Sequence, residues 1–248
     1  MRKIENTELV HVVKDYCNAP EDVTLVARKD IINPYTGNAI VAVSKEEYKI
    51  LQKLRSFPVV KELPFVINLR GELDLTTNKK YIISDDTGYR LIRGRNIGYY
   101  SLIDTEEYEF VNKTFIDITK KKEYIFSERI ICQQIANMNK ERRVTFAFVP
   151  KNYILGNSCN FITVKENPYG ITTDTLLGLF NTNIINWLFK LTSSNNHINN
   201  YEIDSFPIPV NSKELGKVTE LVKSYKENMS IEIVNKIETY ALLAYGLI

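Results

Sequence analysis

Glycine is scarce in this chain of 248 residues, with 10 in all, and histidine is scarcer still, with 2. The glycines form neither GxGxxG nor GxxxxGK[ST], so neither of these phosphate-cradling loops is present. His11 and His197 do not combine with Cys17, Cys132 and Cys159 in any zinc-ligand spacing. Catalytic triads assemble in space, yet neither histidine has the sequence context of one. No catalytic residue and no metal ligand is therefore assigned. Three scattered cysteines build no disulfide framework and suit a reducing, cytoplasmic compartment. No apolar run approaches the roughly 18 residues of a membrane span, and the opening MRKIENTELV lacks the apolar core of a signal peptide. Net charge is weak as well, +2 from 32 Lys/Arg and 30 Asp/Glu, so any basic surface must be local.

What is present is material for a substantial core: 44% hydrophobic residues, including 15 Tyr and 11 Phe. Residues 1–68 read as a helical and linking preamble. HVVKDYC suggests a short helix, DVTLVARK a strand and NPYTG a turn. Ser44 and Glu47 form a capping box on SKEEYKILQKLRS, whose Tyr48, Leu51 and Leu54 share a face. Residues 69–211 read as the central domain, strand-rich over about 69–170, with KKYIIS, YRLIRGR, EYIFSERIICQQI, RVTFAFV and NFITV separated by turn material. The segment ERIICQQIANMNKERRVTFAFV reads as two antiparallel strands with a polar connection. From Thr173, TDTLLGLFNTNIINWLFKLTSS reads as one buried helix capped by Thr173 or Asp174. FPIPV is extended, and residues 212–248 form an amphipathic helical tail, one helix or two. The expected fold is α+β: a mostly antiparallel, β-rich domain flanked by N-terminal and C-terminal helices.

Positive charge gathers between Lys113 and Arg143, where eight Lys/Arg face four Asp/Glu. Three stretches combine cations and amides. The first is YRLIRGRNIGYY, with Arg90, Arg93, Arg95 and Asn96. The second is ERIICQQIANMNKERR, with Arg129, Gln133, Gln134, Asn137, Asn139, Lys140, Arg142 and Arg143. The third is TSSNNHINN, with Ser193, Ser194, Asn195, Asn196 and His197. Arginine can bridge guanine O6 and N7, Asn and Gln can bridge adenine N6 and N7, and Lys and Ser suit phosphate oxygens. Each stretch also has a plainer reading: arginines on strands form ion pairs, and Asn-rich loops satisfy backbone groups in turns. Asn157, Asn160, Asn199, Asn200 and Tyr201 are candidates for such loop-holding work.

RGELDLT, LIRGRNIG, ERIICQQIANMNKERR, ILGNSCNFI and LLGLFNTNIINWLFKLTSSNNHINNYEIDSFPIP follow one another in this order. The series resembles the C-terminal, TaqI-like target recognition domain of adenine-specific DNA methyltransferases from type II restriction–modification systems, those of the type IIS group especially, over residues 69–209. The resemblance implies that Arg93 and Arg95, the Gln133–Arg143 connection and the Ser193–His197 run face duplex DNA. It implies a methyltransferase catalytic domain or subunit as partner. NPYT and NPYG lack the second proline of the NPPY motif of such catalytic domains and are read as turns. S-adenosylmethionine is therefore expected on the partner and no cofactor on this chain.

Two rivals remain. Glu72 and Asp74, with Lys79, could serve a metal-dependent nuclease, although their spacing matches no catalytic pattern and the plainer reading is two solvated charges entering a strand. The C-terminal tail could instead be the docking face of a protein-interaction module.

Overall fold

The computed structural model describes residues 9–15, 17–28, 41–105, 107–193 and 196–248. The turn expected in NPYTG, and Ser194 and Asn195, lie outside them. Strands β1 (Leu9–Val13) and β2 (Val23–Ala27) form an antiparallel pair, with Val12 and Val26 buried. The start of HVVKDYC, residues 11–13, is therefore strand, not helix: Val10, His11 and Val12 alternate as a pleated face requires. Helix α1 (Lys45–Arg55) begins as expected, with the Ser44–Glu47 capping box closed and Leu51 and Leu54 in the core.

Next come strand β3 (Val66–Arg70), the short strands β4 (Ile82–Ile83), β5 (Leu91–Ile92) and β6 (Phe110–Val111), and the short helices α2 (Thr114–Ile118) and α3 (Lys122–Ile125). Both short helices lie where strands or turns were expected; Phe115, Ile116 and Ile125 pin them into a small apolar cluster with Leu73, Leu91 and Val111. Strands β7 (Arg129–Gln133), β8 (Phe146–Val149), β9 (Ile154–Leu155) and β10 (Cys159–Val164) complete the β-rich part. The main sheet is four-stranded and antiparallel, in the order β3-β10-β7-β8. As expected, β7 and β8 are antiparallel neighbours. The boundary anticipated at residue 68/69 falls inside β3, so the sheet continues across it.

Alternation along the sheet directs side chains to two cores. Ile130, Cys132, Phe146 and Ile162 face the larger cluster, shared with the helices. Ile131, Ala147, Val149, Cys159 and Phe161 face the other, shared with Ile92, Ile97 and Leu155. The sheet is thus the middle layer, with helices on one face and the small strands on the other.

The segment expected as one helix is two, α4 (Thr173–Phe180) and α5 (Asn183–Thr192), and the first cap is Thr172. The break has a local cause. Asn181 donates from Nδ2 to the Phe146 carbonyl (2.9 Å) and accepts the Phe146 N–H at Oδ1 (2.9 Å), at the edge of β8 that Tyr100 also bridges. Thr182 then caps α5 by accepting the Ile185 N–H. Short helix α6 (Asn200–Asp204) precedes the extended FPIPV, and the tail forms two helices, α7 (Leu215–Glu227) and α8 (Ile231–Tyr245). The tail packs inward: Val218, Val222, Ile237, Ala241 and Tyr245 belong to the main core, and the Tyr245 hydroxyl donates to the Pro207 carbonyl at 2.9 Å.

Candidate nucleic-acid interface

One end of the main sheet gathers pieces of all three polar stretches. Gln133 and Gln134 stand at the C-terminal end of β7. The chain runs on past Gln134 to an antiparallel bridge between Ile135 and His197, closed by Ile198 N–H to Gln134 O (2.7 Å) and Ala136 N–H to Asn196 O (2.8 Å). From the other side, the 3₁₀ turn Gly94–Asn96 leans on Ser158, whose Oγ accepts the Gly94 N–H at 3.0 Å. A Cβ on Gly94 would lie 3.0 Å from the Ser158 carbonyl oxygen and 3.5 Å from Gln133 Cβ, so glycine sets how closely this turn approaches β7. The exposed tip of the connection carries Asn137, Met138, Asn139 and Lys140, and beside the bridge Ile135, Asn196 and His197 are exposed.

The arginines of those stretches are differently placed. Arg129 is wholly buried: it pairs with the Glu72 carboxylate, donates to the Tyr153 carbonyl and lies 5.3 Å from the Phe161 ring centre. It cannot face DNA. Arg143 is buried, donating to the Ser193 carbonyl (2.8 Å) against the Phe189 ring, and Ser193 is buried with it. Arg142 donates to the Asn181 carbonyl (2.8 Å) and Asn183 Oδ1 (2.5 Å), and stacks 4.7 Å from Tyr99. Asn96 is buried, its Oδ1 accepting the Arg93 N–H (2.9 Å). Arg93 forms a two-pronged pair with Glu109 (both contacts 2.6 Å), which Arg95 joins at 3.3 Å. Arg90 pairs with Asp104 at 3.6 Å and stacks on Tyr108. Most arginines legible in the sequence are therefore held by carboxylates, carbonyls or rings. The loop-holding reading suits several amides: Asn157 Nδ2 donates to Asp74, buried Asn160 donates to the Ile198 carbonyl (2.6 Å), and Asn199 accompanies the cap on α6.

Two cations that were not among the candidates stand at this sheet end. Arg70 closes β3, donating from Nε to the Asn157 carbonyl (2.7 Å) and from Nη2 to Gln134 Oε1 (2.8 Å). Lys121 donates to the Arg70 carbonyl at 2.6 Å, and burial pulls its ammonium below the ordinary lysine range. Neither makes an ion pair among the described residues. A signal for Arg70 existed, an arginine between a β-like run and a glycine in NLRGE.

The nuclease carboxylates are engaged elsewhere. The Glu72 side chain is fully buried, not solvated; it holds Arg129 and accepts the Leu155 N–H (2.8 Å). Burial pushes its carboxyl up, opposed by the facing guanidinium. Asp74 accepts the Thr76 and Thr77 N–H groups, both at 2.9 Å, and these backbone bonds, that of Thr77 foremost, hold its carboxyl below the ordinary range. Among the described residues no group of three or more His, Cys, Asp or Glu could hold a metal ion. Burial also pushes the Cys159 thiol up to about 12, far from a reactive thiolate.

Residues 89–208 match the family model of the TaqI-like C-terminal specificity domain. The matched stretch contains β5 through β10, the polar connection and the Ser193–His197 run; Arg70 and Lys121 lie before it and within it, respectively. Two solved structures are similar to the chain. One is the type IIL restriction–modification enzyme MmeI in complex with DNA, at 11% identity and TM-score 0.47, covering 97% of this chain and 38% of that one. The other belongs to a type I restriction–modification system, at 8% identity and TM-score 0.36, covering 81% and 52%. The chain thus spans about half or less of the length of either. No curated protein matches it. Among the described residues no helix is long and apolar enough to cross a membrane.

Proposed function

We propose that this chain recognises a duplex DNA target as the specificity part of an N6-adenine DNA methyltransferase or combined restriction–modification enzyme of type II. One observation carries the reading: within the stretch that matches the specificity family, three separate polar segments meet at one end of the four-stranded sheet. The residues exposed or half-exposed there are Gln133, Gln134, Asn137, Asn139, Lys140, Asn196 and His197, with Arg70 and Lys121 added by the fold. Arg90, Arg93 and Arg95 contribute only where their carboxylate partners release them. Phosphate contacts would set register and base-edge contacts would choose the site. A separate catalytic domain would bind S-adenosylmethionine and methylate the flipped adenine.

The test is selection of the purified chain on a randomised duplex pool at low and moderate salt. An enriched short motif is the expected result, with affinity falling steeply as salt rises. Absence of binding at low salt overturns the reading and favours a module that docks on a catalytic subunit.

A further inference from the structure

Arg70 is held, like Arg93, by the Nε–Nη2 edge of its guanidinium, but by uncharged partners where Arg93 has the Glu109 carboxylate. A guanidinium has five N–H donors in a fixed plane. The side edge, Nε with one hydrogen of Nη2, is held by the Asn157 carbonyl and Gln134 Oε1. The end-on pair, Nη1 with the second hydrogen of Nη2, has no partner among the described residues, and the side chain is exposed. That pair is the fork that fits two acceptors side by side. The cation is also held without being neutralised, because both of its partners are uncharged.

The same contact orients Gln134. A guanidinium can only donate, so the amide oxygen must turn toward Arg70 and the amide nitrogen away from it. The half-exposed amide thus offers hydrogens outward, where a free glutamine would offer one acceptor and one donor side by side. Gln134 is itself held at both backbone atoms, with its N–H on the Ser158 carbonyl (2.9 Å) and its carbonyl on Ile198 N–H (2.7 Å). Adenine and cytosine each place a donor amine in the major groove, which this donor-rich surface would meet unfavourably. Guanine presents O6 and N7, both acceptors.

Resting on the duplex-recognition reading, we infer that Arg70, positioned by Gln134 and the Asn157 carbonyl, is a specificity-determining residue that reads a guanine in the target. Gln134 acts as its positioning residue and not as an adenine reader.

The experiment is competitive selection and titration on duplex DNA with the full chain and the variants Arg70→Ala, Arg70→Lys and Gln134→Ala, each checked for an unchanged melting curve. The parent should enrich a site containing at least one guanine at which 7-deazaguanine, lacking the N7 acceptor, weakens binding by about tenfold or more. Arg70→Ala should abolish both the base preference and the 7-deaza effect at that position alone. Arg70→Lys should keep the salt dependence and lose the preference, since an ammonium is a point charge without a fork. Gln134→Ala should blunt the preference while retaining most affinity. If Arg70→Ala lowers affinity equally on all duplexes and leaves every base preference intact, Arg70 is a phosphate contact and the inference is overturned. It is overturned as well if the preference that disappears is for adenine. If the parent itself binds no duplex at low salt, the recognition reading falls first and takes this one with it.

Discussion

The arm around Arg90–Arg95 and the sheet end around Arg70 use the same side chain to opposite effect. In the arm, Glu109 holds Arg93 at 2.6 Å and Arg95 at 3.3 Å, and Asp104 lies 3.6 Å from Arg90. At the sheet end, Arg70 meets a carbonyl and an amide, and Lys121 meets two backbone carbonyls. A carboxylate neighbour cancels the field that a polyanion would feel; a neutral acceptor fixes geometry and leaves the field intact. Arginine content is therefore a poor guide to a binding surface until the partner of each arginine is known. Arg129 is the extreme case, an arginine turned entirely into a structural part by burial against Glu72.

Substitutions can break or sharpen this contrast, and the largest effect belongs to that interior pair. Arg129→Met leaves the buried Glu72 carboxyl without its counter-charge, and should cost about 3–5 kcal/mol in denaturant unfolding. Adding Glu72→Gln, which keeps an acceptor for the Leu155 N–H, should restore a major part of that loss. Gly71→Ala comes next. Its Cβ would sit 2.2 Å from the Gly156 carbonyl oxygen, so backbone must move directly beside Arg70. Duplex binding and melting temperature should both fall, whereas Arg70→Ala should lower binding alone.

Glu109→Gln inverts the contrast. With the cap gone, Arg93 and Arg95 should raise low-salt affinity for any duplex and steepen the log K against log salt slope by about 0.9 for each arginine that reaches a phosphate. An unchanged slope would show that the arm lies off the DNA path. Lys121→Ala should do the reverse at the sheet end, weakening all duplexes alike and making that slope shallower by about 0.9.

The smallest effect concerns Asp74, whose carboxyl is held low by backbone N–H bonds. A depressed carboxyl stabilises the fold above its unfolded value, and that contribution disappears as pH falls through the lowered folded value. Asp74→Asn should flatten the acid side of the stability curve, read as melting temperature from neutral pH into the range below ordinary carboxylates. An identical profile for the two proteins would remove Asp74 from the account.

Local patterns carried much of the fold. The capping box at Ser44, the β7–connection–β8 unit and the helical tail follow from short-range periodicity and caps, and each appears where those signals placed it, the tail as two helices where one or two were expected. HVVKDYC was misread because a five-residue strand needs a partner, and the partner, β2, is read from a different segment. The break at Asn181 was invisible for a similar reason. No local rule says that an asparagine in an apolar run will leave the helix to satisfy the peptide of Phe146, 35 residues earlier in sequence.

The candidate site divides along the same line. Sequence alone located the polar connection after Gln133 and the run ending at His197, because amide and cation clusters stand out against apolar strands. It also determined, by the order of its motifs, which family to look for. Which arginines face outward was decided only in three dimensions. Arg129 and Glu72 lie 57 positions apart, Arg93 and Glu109 lie 16 apart, and Arg70 and Gln134 lie 64 apart. Charge is a property of a residue, but availability depends on what stands within a few ångströms of it, and only the folded chain sets that distance.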